Sequence, residues 1–170
     1  LKDYTFKKYN FDSRCEIICF SDQMILPKPE VRKKVKFIGF AGNVWCAKNF
    51  EILLNFLERR NGTSDPIQLH IFSNNFPSKL EKKFKNIIVN HGILKNKDLL
   101  LQLQKMDLLY VPMSFSSNEK VVSSTSFPSK IFTYLNTGVP ILFHAPSYST
   151  VADFIKKYET GFIIQSIDQE

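Results

Sequence analysis

From Val35 onward, short apolar runs alternate with longer stretches whose apolar residues recur at helical spacing, and few folds accept that pattern. The runs VKFIGFA, IQLHIFS, NIIVN, DLLYVPM, PILFHA and GFII occupy residues 35–41, 67–73, 86–90, 107–113, 140–145 and 161–164. Near-continuous apolar strands are buried on both faces, which is the condition of a parallel sheet covered by crossover helices. Between the first two runs, Phe50, Leu53, Leu54 and Leu57 fall at i, i+3, i+4 and i+7 of a helix over 47–60. Further helices are expected at 78–84, 96–106, 128–138 and 149–158, with Gly138 and Gly161 as stop signals. The pattern predicts an α/β fold: a doubly wound, mainly parallel six-stranded sheet, Rossmann-like, in the order 3-2-1-4-5-6. Right-handed crossovers then put a topological switch point between the first and fourth strands, with a ligand at their carboxyl ends.

A chain of 170 residues, 44% of them apolar, buries a sizeable single core without disulfides or metals. Residues 1–34 read differently from residues 35–170. They run from a basic, helix-like start, LKDYTFKKYN, through a short strand at CEIICF to the proline-containing stretch SDQMILPKPEVRKK. That segment is expected to connect the domain to something longer. Cys15, Cys19 and Cys46 form no CxxC pair and are odd in number, so free buried thiols are expected. The net charge of +7 favours an anionic partner: nucleic acid, an acidic membrane surface or a phosphorylated small molecule. Nucleic acid fits least well, because the basic residues are scattered without aromatic stacking motifs. No apolar run approaches the roughly 20 residues needed to cross a bilayer, and no signal-peptide pattern opens the chain. A soluble, cytoplasmic protein is expected.

The first strand ends in GFAGNVWCAKNF, where Gly39 and Gly42 allow a tight turn and a close backbone approach to a ligand. It lacks GxGxxG, and the second strand ends at Ser73 and Asn74 with no acidic residue for a ribose, which excludes the dinucleotide fingerprint. No GK[ST] occurs, so it is no P-loop either. Lys48, in the first helical turn, is a solvated surface lysine or a diphosphate ligand. The serine-rich stretch at 114–126 is a disordered excursion or a ligand-closing loop. His70, His91 and His144 fall on different strands, the third and fifth about 19 Å apart at the usual strand spacing, so they cannot share a metal. Glycosidase chemistry needs two facing carboxylates, and the carboxyl-end loops offer little beyond Glu119.

The most specific stretch is SFPSKIFTYLNTGVPILFHAPSYSTVADFIKKYETGFII, residues 126–164. Pro128, Ser129, Lys130, Tyr134, Gly138, Pro140 and Ile141 match a P-S-K-x-x-E-Y-x-x-x-G-x-P-[VI] run. The turn at Gly42 and Asn43 with Lys48 downstream, the pair His91 and Gly92, and the strand Asp107 to Pro112 precede it in order. Together they resemble the carboxyl-terminal, donor-binding lobe of glycosyltransferases of the B fold, especially the retaining bacterial group 1, or family 4, enzymes.

The resemblance implies a nucleoside diphosphate-sugar donor as substrate, no required cofactor or metal, and work in polysaccharide or glycolipid assembly. It implies that Lys48 and Lys130 are the catalytic pair that holds the leaving diphosphate. Gly42, Asn43, His91, Gly92, Glu119, Thr125, Ser126, Phe127, Pro128, Ser129 and Thr133 would line the donor. An amino-terminal acceptor lobe is the implied partner, the fragment alone being inactive, with peripheral contact to an anionic membrane at its inner face. The sequence departs from the family where Thr133 and Thr125 stand in place of two glutamates, which lowers the charge-assisted hold on ribose and sugar unless Glu119 substitutes. Three readings compete with this one: PSK as a plain helix start, with proline in the first turn and serine as cap; a sugar-nucleotide 2-epimerase lobe; and a non-catalytic nucleotide-sugar-binding module.

Overall fold

The computed structural model describes residues 34–167 apart from 63, 64, 159 and 160; the expected strand at CEIICF and the thiols of Cys15 and Cys19 lie outside the described residues. The elements run β1 (Phe37–Ala41), α1 (Ala47–Asn61), β2 (Gln68–Phe72), α2 (Ser78–Lys83), β3 (Ile88–Asn90), α3 (Asn96–Leu103) and β4 (Leu108–Pro112). After a 3-10 turn (Ser117–Glu119) come α4 (Lys120–Thr125), α5 (Lys130–Leu135), β5 (Ile141–His144), α6 (Thr150–Tyr158) and β6 (Gly161–Ile164). The six strands form one parallel sheet in the order β3-β2-β1-β4-β5-β6, the order read from the sequence.

Two apolar layers explain why the strands are apolar throughout. On one face, α1 buries Phe50, Leu53, Leu54 and Leu57 against Ile38, Phe40, Leu69 and Ile71, and Leu80 of α2 and the adjacent Phe84 extend the layer. On the other, Leu103, Ile131, Tyr134, Val151 and Ile155 from α3, α5 and α6 pack on Leu109, Val111, Ile141 and Phe143. Each such side chain contributes about 2 kcal/mol through removal of apolar area from water. On the α1 side, the far half of the sheet is less covered: a groove of about 600 Å³ runs past Ile38, Phe56, Leu108, Leu142 and Ile164.

Two expectations change. The serine-rich stretch is ordered and helical, as the 3-10 turn and α4, because its hydroxyls bond its own backbone: Ser123 Oγ donates to Ser114 O at 2.8 Å and Ser124 Oγ to Val121 O at 3.1 Å. The helix expected from 128 starts at Lys130 and ends at Leu135, with Gly138 (φ 70°) past its end in the left-handed region. Leu135 is 40% exposed, since the short helix buries only the stripe of Ile131 and Tyr134. Among the described residues no helix is long and apolar enough to cross a membrane.

Candidate functional site

The switch point is a place where two strands part. β1 pairs with β2 along all five residues, but with β4 only at Ile38↔Leu108 and Gly39↔Leu109. Past Gly39 the ladder is open, and the buried amide of Ala41 is satisfied by a side chain instead: its N–H donates to Tyr134 Oη at 2.8 Å. The chain then turns at Gly42, whose φ of 97° suits glycine, and Gly42 N–H donates to Phe72 O at 3.1 Å. The gap between the parted strands is the cleft. Asp107, part of the recognised strand motif, serves the opposite end: its Oδ2 accepts the N–H groups of Lys36 and Phe37, each at 2.8 Å.

The inner part of the cleft, about 280 Å³, is lined by Asn43, Pro112, Met113, Val122, Ser123, Ser126, Pro128, Ser129 and Lys130. The outer part, about 450 Å³, adds Lys48, Asn49, Phe115, Ser116 and Ser117, while Trp45, Cys46, Ser114 and Glu119 line both. Seven of the residues read from sequence thus meet in one cleft: Asn43, Lys48, Glu119, Ser126, Pro128, Ser129 and Lys130. Gly42 joins them, because the Lys130 ammonium lies 3.7 Å from where a side chain on that glycine would begin.

Lys130 is the most perturbed cation of the site. Its Nζ sits 3.9 Å from the centroid of the Phe40 ring, and burial lowers its pKa to about 8, with Cys46 pulling the other way. The Cys46 thiol is pushed up to about 11, first by burial, then by Glu119, against the opposing influence of Lys130. It is therefore a neutral group between a carboxylate and an ammonium. Cys46 is also the N-cap of α1 without a side-chain cap bond, and no acidic residue stands in that helix's first turn. The positive end of a 15-residue helix is left uncompensated beside the cleft. Lys48, exposed on that first turn, adds a solvated charge at the rim.

Buried polar groups fix the walls. Asn49, 3% exposed, donates through Nδ2 to Met113 O at 2.9 Å and to His144 O at 3.1 Å, clamping the ends of β4 and β5. His144 is held at both ring nitrogens: Nε2 donates to Ser166 O at 2.9 Å, and Nδ1 accepts from Tyr110 Oη at 2.8 Å. Burial lowers its pKa, which agrees with this neutral tautomer. Sequence reading missed Asn49, because an asparagine inside a helix carries no signal until the strands it reaches are known. It also passed over Trp45 in the turn it had singled out, and it took Cys46 only as a buried thiol, whereas that thiol is free but half-buried and lines the cleft.

The remaining sequence candidates lie elsewhere. His91 and Gly92 follow β3, on the far side of β2; the His91 ring stacks on Phe72 at 4.6 Å and 11°, and Nε2 meets His70 Nδ1 at 3.0 Å. Burial lowers the pKa of both rings, and for His70 the neighbouring His91 adds to it. Among the described residues no group of three ligating side chains could hold a metal. Phe127 packs with Phe154 at 5.1 Å and Phe132 at 5.8 Å, on the α6 side of the sheet. Thr125 turns its hydroxyl back to Val121 O at 2.7 Å, and Thr133 is half-buried on α5 outside the lining of the cleft.

No family model and no curated protein matches the sequence. Solved structures do match in fold. WaaB, a lipopolysaccharide outer core galactosyltransferase, superposes with a TM-score of 0.61 at 19% identity, over 88% of this chain and 42% of its own. TarM of S. aureus, solved with fondaparinux, alpha-GlcNAc-glycerol and UDP, gives 0.59 at 14%, over 92% of this chain and 31% of its own. AviGT4, a glycosyltransferase involved in avilamycin A biosynthesis, gives 0.53 at 9%, over 82% and 40%. This chain has the fold of one lobe of a GT-B glycosyltransferase. It spans less than half the length of each of these proteins.

Proposed function

We propose that the chain is the donor-binding lobe of a nucleotide-sugar-dependent glycosyltransferase, of the retaining kind, active in polysaccharide or glycolipid assembly together with an acceptor lobe. The observation that carries the reading is Lys130, an ammonium held against an aromatic ring in the switch-point cleft, near the uncapped start of α1. A partly desolvated cation has little to gain from water and much from a phosphate placed beside it. As the bond from the anomeric carbon to the diphosphate oxygen breaks, the electron pair leaves with the diphosphate, and Lys130, Lys48 and the α1 amides stabilise that growing charge without a required metal. The base would stack near His91, whose ring already lies parallel to Phe72. Attachment at an anionic membrane, through the net positive charge, belongs to the same proposal.

Calorimetry with UDP, GDP, ADP and CDP tests it, and the UDP in the TarM structure makes uridine the first nucleotide to try. One of these should bind, and Lys130→Ala should weaken that diphosphate by about 10- to 100-fold while leaving the parent nucleoside unchanged. If none of the four binds, the donor-lobe reading falls.

A further inference from the structure

Trp45 is 82% exposed, the most exposed large apolar side chain among the described residues, and it lines both parts of the cleft. Exposure alone says little of a single side chain, but an indole that lines a cleft offers a flat apolar face to whatever the cleft holds. The groups around it narrow the choice. Glu119, Ser114, Ser116 and Ser117 share the outer part of the cleft with it, and Lys48 stands at its rim. A carboxylate accepts hydroxyl donors and repels phosphate, and serine hydroxyls both donate and accept. A flat apolar face beside a carboxylate and hydroxyls matches a pyranose, which has apolar C–H faces and an equatorial ring of hydroxyls. A phosphate is better served by Lys130 and Lys48, and a base by the His91 and Phe72 stack beyond β2.

We infer that Trp45 is the platform on which the hexose ring of the bound nucleotide sugar rests, with Glu119 accepting its hydroxyls. This rests on the donor-lobe reading and adds a sugar-recognising residue to it. Substitution at an 82% exposed side chain carries no folding burden, and an unchanged thermal melt of each variant checks this.

Trp45 is the single tryptophan of the chain, so its emission reports on its own surroundings. The full chain is titrated with UDP and UDP-glucose, and in parallel with GDP and GDP-mannose, by tryptophan emission and calorimetry. The sugar nucleotide should change Trp45 emission more than its diphosphate does. Trp45→Ala should weaken the sugar nucleotide about fivefold, leave the diphosphate within about twofold, and be largely restored by Trp45→Phe. Loss of both ligands to the same extent, or of neither, overturns the platform while leaving the donor lobe standing. Failure of every nucleotide to bind wild type overturns the donor lobe and the platform with it.

Discussion

Lys130 and Tyr134 stand one turn apart on α5 and use the parted strands in different ways. Tyr134 closes the opening: its hydroxyl accepts the Ala41 N–H at 2.8 Å and points back to Ala41 O at 3.5 Å, and burial keeps the phenol protonated. Tyr134→Phe strands that buried amide and should cost about 1–3 kcal/mol in urea denaturation. A loss below about 0.5 kcal/mol would show that another partner takes the amide. Lys130 faces the cleft, and its titration has a sign that can be worked out. Burial disfavours the ammonium and brings its pKa to about 8, whereas a bound diphosphate favours the ammonium. Diphosphate affinity should therefore be full below pH 8 and fall as the pH rises through it. Lys130→Arg, which stays charged across that range, should flatten the profile between pH 7 and 9.5. Calorimetry at four or five pH values decides the matter, and equal slopes for wild type and variant would remove Lys130 from the phosphate.

Among elements, the clamp at the start of α1 matters most. Asn49 joins that helix to the carboxyl ends of both β4 and β5, so the cleft's walls are tied by one side chain. Asn49→Leu keeps the volume but leaves Met113 O without its donor, and should cost about 2 kcal/mol by thermal or urea unfolding. The element order was legible because periodicity carries it: six apolar runs and the α1 stripe reappear as strands and helix face. The 114–126 stretch was not, since serine and threonine in a helix bond nearby backbone and so read as loop. The tie from Ser123 to Ser114, across nine positions, satisfies a loop carbonyl that the sequence gives no sign of. The site was legible by motif at Lys130, Ser129 and Pro128, whose placement follows from the helix start. Phe127, next in line, turned to the α6 layer, because consecutive residues at a helix entrance face different ways.

At the scale of the molecule, the chain spans 42% of WaaB, 31% of TarM and 40% of AviGT4. On the proposed reading the chain can hold a donor by itself, because the groups that would contact the diphosphate, Lys130, Lys48 and the α1 amides, come from α1 and α5 beside one sheet. Transfer is a different demand: donor and acceptor must meet within about 3–3.5 Å and in line, and that alignment supplies several kcal/mol of the barrier reduction. Residues 1–170 should therefore bind a nucleoside diphosphate and yet form no glycoside when given the sugar nucleotide and a candidate acceptor. Supplying the donor without acceptor also tests for an epimerase, which would convert the sugar nucleotide unaided. Calorimetry reads the first half of the prediction and chromatography of labelled sugar the second. Robust transfer by these residues alone would mean that the acceptor is positioned by the described cleft itself, and the half-enzyme reading would have to be given up.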